Sequence, residues 1–306
     1  MANTLMLVGN SIELNRNLSS ADLGVLGPFT IQAAQNGMST AANFNLNVGG
    51  AVGPVPLPSP YPLQPGFAPI SDPSQITGPG NYQLTNDVSD LNSIQNISNI
   101  TIDGARFAVA NYVVLNGQNV TLKNCNISST AGSGVTANTG SNNVTVDNCT
   151  IGGTSSIDTS NVTFSHCLLK NSADTSVTDD LILTQGSSLS NLHFLYNIIQ
   201  GTYDVGIEGD GGWTQCSFVG NYFIDVRAAI GGFWDSNHAL NNFTMMYCTF
   251  QNNTVSTATG SYGNHLFVIN GGGYGYADDD ATANSLWGGS GTGLANNNTF
   301  SGNIQQ

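Results

Sequence analysis

Charge is what this chain has least of. Only 8% of its 306 residues are Asp, Glu, Lys or Arg, and 5 Lys plus Arg stand against 19 Asp plus Glu, a formal net charge of −14. Five scattered cations cannot replace the counterion atmosphere of a phosphate backbone, which excludes nucleic acid as a partner. The same field disfavours polyuronate chains unless a divalent cation bridges the two, and leaves neutral glycans or no ligand. No stretch approaches the ~20 apolar residues of a membrane span, so no membrane insertion is expected. Met1 to Asn10 reads MANTLMLVGN, without a basic segment before its short apolar run, which is not a secretory signal. The 5 cysteines are an odd number without a disulfide-framework spacing, and read as free thiols of a reducing compartment. So little charge is a warning of disorder, but 40% hydrophobic residues argue for a packed core.

What the chain does have is a repeat. VTLKNCNI from Val120, VTVDNCTI from Val144, VTFSHCLL from Val162, LHFLYNII from Leu192, CSFVGNYF from Cys216 and FTMMYCTF from Phe243 share one frame, and ITIDGARF from Ile100 fits it too. With Cys125, Cys149, Cys167, Asn197, Asn221 and Cys248 as equivalent anchors, the steps are 24, 18, 30, 24 and 27 residues. Steps that vary in length while the frame stays constant mark a solenoid with loops inserted between fixed strands. Apolar residues stand three before each anchor and two after it, as alternation on a strand requires. Before the anchor sit Asn124, Asn148, His166, Tyr196, Gly220 and Tyr247, with Gly104 in the first coil. Asn and Gly tolerate the left-handed backbone of a sharp bend.

A third strand family follows these pairs: YVVL at Tyr112, GVTA at Gly134, DLIL at Asp180, VGIEG at Val205, AIGGF at Ala229 and HLFVI at His265. Three strands per coil, with a short Asn-rich bend, resemble the pectate-lyase-like β-helix superfamily. The segment ITGPGNYQLTND from Ile76 is similar to the first coil of such proteins. The resemblance implies an all-β, right-handed single-stranded parallel β-helix of about eight coils, with an irregular N-terminal arm. It implies little about activity, because the superfamily includes lyases, hydrolases, isomerases, adhesins and phage tailspikes. The Cys125, Cys149, Cys167 ladder reads as small side chains buried in one stack. The Asn-Val-Thr tripeptides at Asn119, Asn143 and Asn161 read as turn-ending Asn followed by outward Thr, not as glycosylation sites.

Three regions are expected: an arm or adaptor over 1–53, a Pro-rich connector over 54–74, and the β-helix over 75–306. PVPLPSPYPLQPGFAP is an extended, semi-rigid composition. Phe29 to Phe44 is compatible with a short helix broken near Gly37. Residues 260–292 read as a long loop or irregular closing coil that blunts the end of the rod.

Candidate chemistry lies on the third strand family. In VGIEGD, Val205 and Ile207 alternate inward, so Glu208 and Asp210 project outward ~7 Å apart. That suits an acid and base for inverting glycoside hydrolysis, and these two are the candidate catalytic residues. Asp180, Asp204, Trp213, Trp234 and Asp235 are candidate substrate-binding residues, with Tyr203 nearby as a further ring. The competing reading is that these acids solvate a Lys-poor surface. Lyase chemistry is poorly served, since only Arg227 is a base near the groove. The histidines lack metal-ligand spacing, and Asp278, Asp279 and Asp280 read as a solvated acidic loop. No metal or cofactor is expected.

Two classes of function follow. One is a structural virion component of a bacteriophage (tailspike, fibre or capsid-decorating protein) that docks on other virion proteins through residues 1–70 and contacts host-surface glycan. Its place is the virion, and homotrimer formation follows by analogy with tailspikes. The other is a secreted polysaccharide-processing enzyme, or a passive surface adhesin.

Overall fold

The computed structural model describes residues 5–8, 11–14, 24–35, 38–48, 53–170, 180–186, 188–232, 244–256, 265–270, 274–288 and 295–305. The chain divides into two compact units, Met1–Gly50 and Ala51–Gln306. In the first, Leu5–Val8 pairs antiparallel with Ser11–Leu14, and Gly24–Gln35 with Met38–Val48. The short helix expected between Phe29 and Phe44 is thus corrected to a hairpin. Its strands carry Phe29, Thr30, Ile31 and Phe44, types that favour extended backbone. The two residues between paired Gln35 and Met38 are Asn-Gly, the strongest short hairpin signal.

The second unit is a parallel β-helix. One ten-stranded sheet runs from Ala68–Ile70 to Thr299–Ser301, and a twelve-stranded sheet holds the second and third strand families. The families share a sheet because long strands such as Asn126–Ala137 and Ile198–Gly209 run through the bend between them. Register follows the repeat: Val120 pairs with Ile100 and Val144, Val144 with Val162, and Val162 with Leu192. The first sheet has ten rungs where about eight coils were expected, because pairing continues through Ala68–Ile70 and Gly80–Leu84 at one end and Thr299–Ser301 at the other. Inside, Phe164, Phe194, Phe218, Phe250 and Phe300 stack, with the last two ring pairs 4.7 Å apart and nearly parallel.

Most corners of the first sheet are turned by one left-handed residue. Asn99, Asn119, Asn143, Asn161, Asn191, Gln215, Tyr247 and Asn297 stand before or at the start of its strands, all with φ between 54° and 61°. Asn124, Asn148, His166, Tyr196, Gly220 and Asn252 follow them, with φ between 52° and 66°. Tyr247 and Cys248 therefore belong to the first corner, and their assumed equivalence to Gly220 and Asn221 is corrected. Phe218 pairs with Phe250, whereas Met245 pairs with Trp213 in an extra four-stranded sheet. In the later coils, at Gln215, Tyr247 and Asn297, the first corner uses the same device as the second, a left-handed residue followed by Cys or Asn and then an apolar strand, so spacing alone could not separate them. Gly104 is also corrected, because the left-handed residues of its turn are Ala105 and Arg106. Gly104 serves close approach instead: a Cβ there would stand 2.7 Å from Cys125 Cα.

The residue after the second corner builds a buried ladder. Cys125 N–H donates to Cys149 Sγ at 3.3 Å, and Cys167 N–H to Asn197 Oδ1 at 2.9 Å. Asn197, Asn221 and Asn253 N–H then donate to Asn221, Asn253 and Asn303 Oδ1. Each Asn Nδ2 also donates to a carbonyl of the preceding coil, such as Asn221 to Phe194 O at 2.8 Å. The ladder ends on Asp280, whose carboxylate accepts from Asn303 N–H and Nδ2. All five cysteines are free and buried.

Residues 53–64 lie along the second corner. Gly53 N–H donates to Tyr196 O at 3.2 Å, and Val55 N–H donates to Asn148 Oδ1. Farther on, Tyr61 OH donates to Asp103 Oδ2 at 2.9 Å and Gln64 N–H to Gln83 Oε1 at 2.7 Å. Burial and the hydrogen bond to Asp103 push the Tyr61 phenol up to about 12.

Candidate functional site

The outward face of the third strand family carries the acids, because register is kept from coil to coil. Ile182 pairs with Ile207 and Ile207 with Ile230, all fully buried, so Leu183, Glu208 and Gly231 form the adjacent outward row. Val205 does not continue the inward alternation as expected. A register shift between Thr202 and Val205 places it in a separate small apolar cluster with Ala228 and Val268.

Asp180 is almost fully buried, at 7% exposure, and its Oδ1 accepts from Val205 N–H at 3.2 Å. Its side chain is hydrogen-bonded to Glu208. Two carboxyl groups sharing a hydrogen bond need a proton between them. Burial first, then the charge of Asp180, that hydrogen bond, and the charges of Asp210 and Asp204, push the Glu208 carboxyl up to about 10. Arg227 Nη1 stands 3.4 Å from Asp204 Oδ1, and Asp210 N–H donates to Thr184 O at 3.0 Å. The nearest partner of Glu208 is therefore Asp180, which a strand-by-strand reading had put only among substrate contacts. Asp180 and Glu208 are too close to flank a glycosidic bond, whereas Glu208 and Asp210 remain two residues apart on one face.

The candidate substrate residues divide sharply. Trp213 is corrected as a sugar platform: it is fully buried, its Nε1 donates to Thr184 Oγ1 at 2.9 Å, and its ring lies 4.8 Å from Phe218. Trp234 and Asp235 lie outside the described residues, as does the Tyr203 ring. Among the described residues no group of three or more His, Cys, Asp or Glu is placed to hold a metal ion.

The acidic run near the C-terminus has partners that its sequence concealed. Asp278 accepts from Leu266 N–H and faces His265 Nδ1 at 3.1 Å. Asp279 caps the short helix Asp280–Ala283 through Thr282 N–H, which holds its carboxyl below the usual range. Asp280 closes the Asn ladder. All three have structural partners, and Asp278 and Asp279 are exposed, as the solvated reading expects.

Comparison with protein families adds one match: the model of a right handed beta helix region covers residues 88–223. With the stacked parallel strands, that decides the architecture. The fold is a right-handed parallel β-helix. No curated protein and no solved structure matches the chain. The β-helix is common ground for polysaccharide-binding, polysaccharide-processing and structural proteins, and its Asp180–Glu208 pair lies within the matched stretch.

Proposed function

We propose that this chain is a structural component of a bacteriophage particle, of the tailspike, fibre or decorating type, whose β-helix faces host-surface glycan. The observation that carries the reading is the use of the cysteines. All five are buried free thiols; Cys149 Sγ accepts from Cys125 N–H, and the sulfurs of Cys167, Cys216 and Cys248 lie against backbone carbonyls of the neighbouring coil. A coil stack held by such ladders needs no disulfide and folds in a reducing cytoplasm, from which lysis releases it. The separate Met1–Gly50 unit is the docking module in this reading, and the assembled protein is a homotrimer. Co-purification with particles tests the proposal. Deleting residues 1–50, which spares the strap along the second corner, is expected to abolish particle association. Undiminished association of the shortened chain refutes the docking role.

Glu208 favours a second reading, glycoside hydrolysis of a neutral polysaccharide. A carboxyl that keeps its proton to about 10 is a ready general acid at neutral pH, with Asp210 as base. Reducing-end release from a glycan panel, lost in Glu208→Gln, is the expected sign. A panel without turnover removes this reading and leaves the structural one intact.

A further inference from the structure

The strap does not lie flat on the coils. Its middle arches over a cavity of about 570 Å³, within the range of small-molecule sites. Leu57, Pro58 and Leu63 from the strap face Leu84, Phe107 and Arg106 from the first coils. The strap is pinned on either side of the arch, by Val55 on Asn148 and by Tyr61 on Asp103.

Three properties mark this cavity as a site. First, three of the four neutral polar side chains that line it, all but Ser59, are already occupied: Gln83 bonds Gln64 N–H and Pro62 O, Tyr61 OH bonds Asp103, and Thr85 Oγ1 bonds Ile70 O. The guest must therefore bring an apolar body. Second, Arg106 is a cation in a chain of net charge −14, yet its guanidinium bonds only neutral oxygens: Asn148 O at 2.6 Å, Val55 O at 2.7 Å and Asn148 Oδ1 at 2.9 Å. Those bonds use three of the five guanidinium N–H donors. Among the described residues it has no carboxylate partner, and no carboxylate lines the cavity. Third, Ala105 and Arg106 hold consecutive left-handed backbones at φ 47° and 68°. Such conformations cost energy in non-glycine residues and gather at binding sites.

We propose that the cavity under the strap binds a small apolar acid, with its hydrocarbon body against Leu57, Leu63 and Phe107 and its carboxylate on the free N–H donors of Arg106. The proposal is independent of the phage and hydrolase readings, since neither uses this end of the β-helix.

Isothermal titration of the full-length protein with decanoate and with decanol tests it. Decanoate is expected to bind one per chain, about tenfold tighter than decanol, as a charge-assisted hydrogen bond provides. Arg106→Met should erase that preference, and Arg106→Lys, which keeps the charge, should retain it in part. Should Arg106→Met fail to fold, Leu63→Trp at the half-exposed rim decides instead, by weakening both ligands severalfold through filling the cavity. Absence of saturable binding, equal affinity for the two ligands, or unchanged binding in Leu63→Trp would each overturn the assignment.

Discussion

Two rows of polar side chains run across the coils of this β-helix, and they have opposite consequences. The Asn197, Asn221, Asn253, Asn303 row is buried, and every amide both donates and accepts. The Asp180, Glu208 row brings carboxyl groups together, and carboxylates only accept. Stacking a group that carries both halves of a hydrogen bond satisfies the interior. Stacking a group with one half obliges a proton to stay. The ladder is thus a source of stability, and the acid pair is a place where stability is given up and proton chemistry becomes available.

The largest way to break this contrast is to interrupt the ladder. Asn221→Leu keeps the number and branching of the side-chain heavy atoms but leaves Asn197 N–H and Phe194 O without partners in the core. The cost is expected to be about 3 kcal/mol or more, at roughly 1–3 kcal/mol per orphaned group. Urea unfolding followed by circular dichroism measures it. A loss below about 1 kcal/mol would show that the ladder is packing and not hydrogen bonding.

Glu208→Gln should act in the opposite direction. The folded protein holds the Glu208 proton up to about 10, whereas the unfolded chain loses it near the ordinary glutamate value of 4.5. Folded protein binds more protons across that window, so stability falls as pH rises from 4.5 towards 10. Glu208→Gln removes the titrating group, and should be more stable than the parent at pH 9 by roughly 1–2 kcal/mol, after discounting for partial exposure. The two should converge near pH 4. Parallel thermal melts at the two pH values decide the matter.

The ladder was largely legible in the sequence and the acid pair was not. Cys125, Cys149, Cys167, Asn197 and Asn221 recur at a fixed place between apolar positions, so local alternation exposed them. Asn124 and Asn148 announced their left-handed turns because their side chains tolerate that backbone. Asp180 and Glu208 lie in successive coils joined by loops of unpredictable length, and only the register brings them together. Trp213 misled because its strand, Gly212–Thr214, belongs to the extra four-stranded sheet, which the repeat frame does not contain. The strap was concealed for a different reason. Much of its grip comes from its own backbone, as in the Val55 N–H bond to Asn148, 93 residues away, and backbone groups carry no sequence signature. Two corners built by one device explain why Cys248 was matched to the wrong row.

At the end of the ladder, Asp280→Ala should cost about 1–2 kcal/mol, since Asn303 N–H loses its carboxylate partner while Nδ2 keeps its bond to Phe250 O. The loss should be confined to the last coil. Hydrogen exchange is expected to rise at Asn253 and Asn303 and to stay unchanged at Cys149. A uniform rise along the chain would mean that the β-helix unfolds as one block and has no separate end.

The smallest effect sharpens the comparison most, because it keeps the amide stack and changes only burial. Asn119 Nδ2 donates to Asn99 Oδ1 at 2.7 Å, and its own Oδ1 accepts from Asn143 at 2.8 Å, in a row open to water. Water can replace each bond that Asn119→Ala removes, so the lost hydrogen bonds should cost less than about 0.5 kcal/mol. The φ of 54° at this position adds a backbone penalty that Ala bears and Gly does not. Asn119→Gly should therefore be at least as stable as Asn119→Ala, in the same urea titration used for Asn221→Leu. If Asn119→Ala and Asn119→Gly both cost as much as Asn221→Leu, the outer amides are as important as the inner ones. Burial would then not be what distinguishes the ladder.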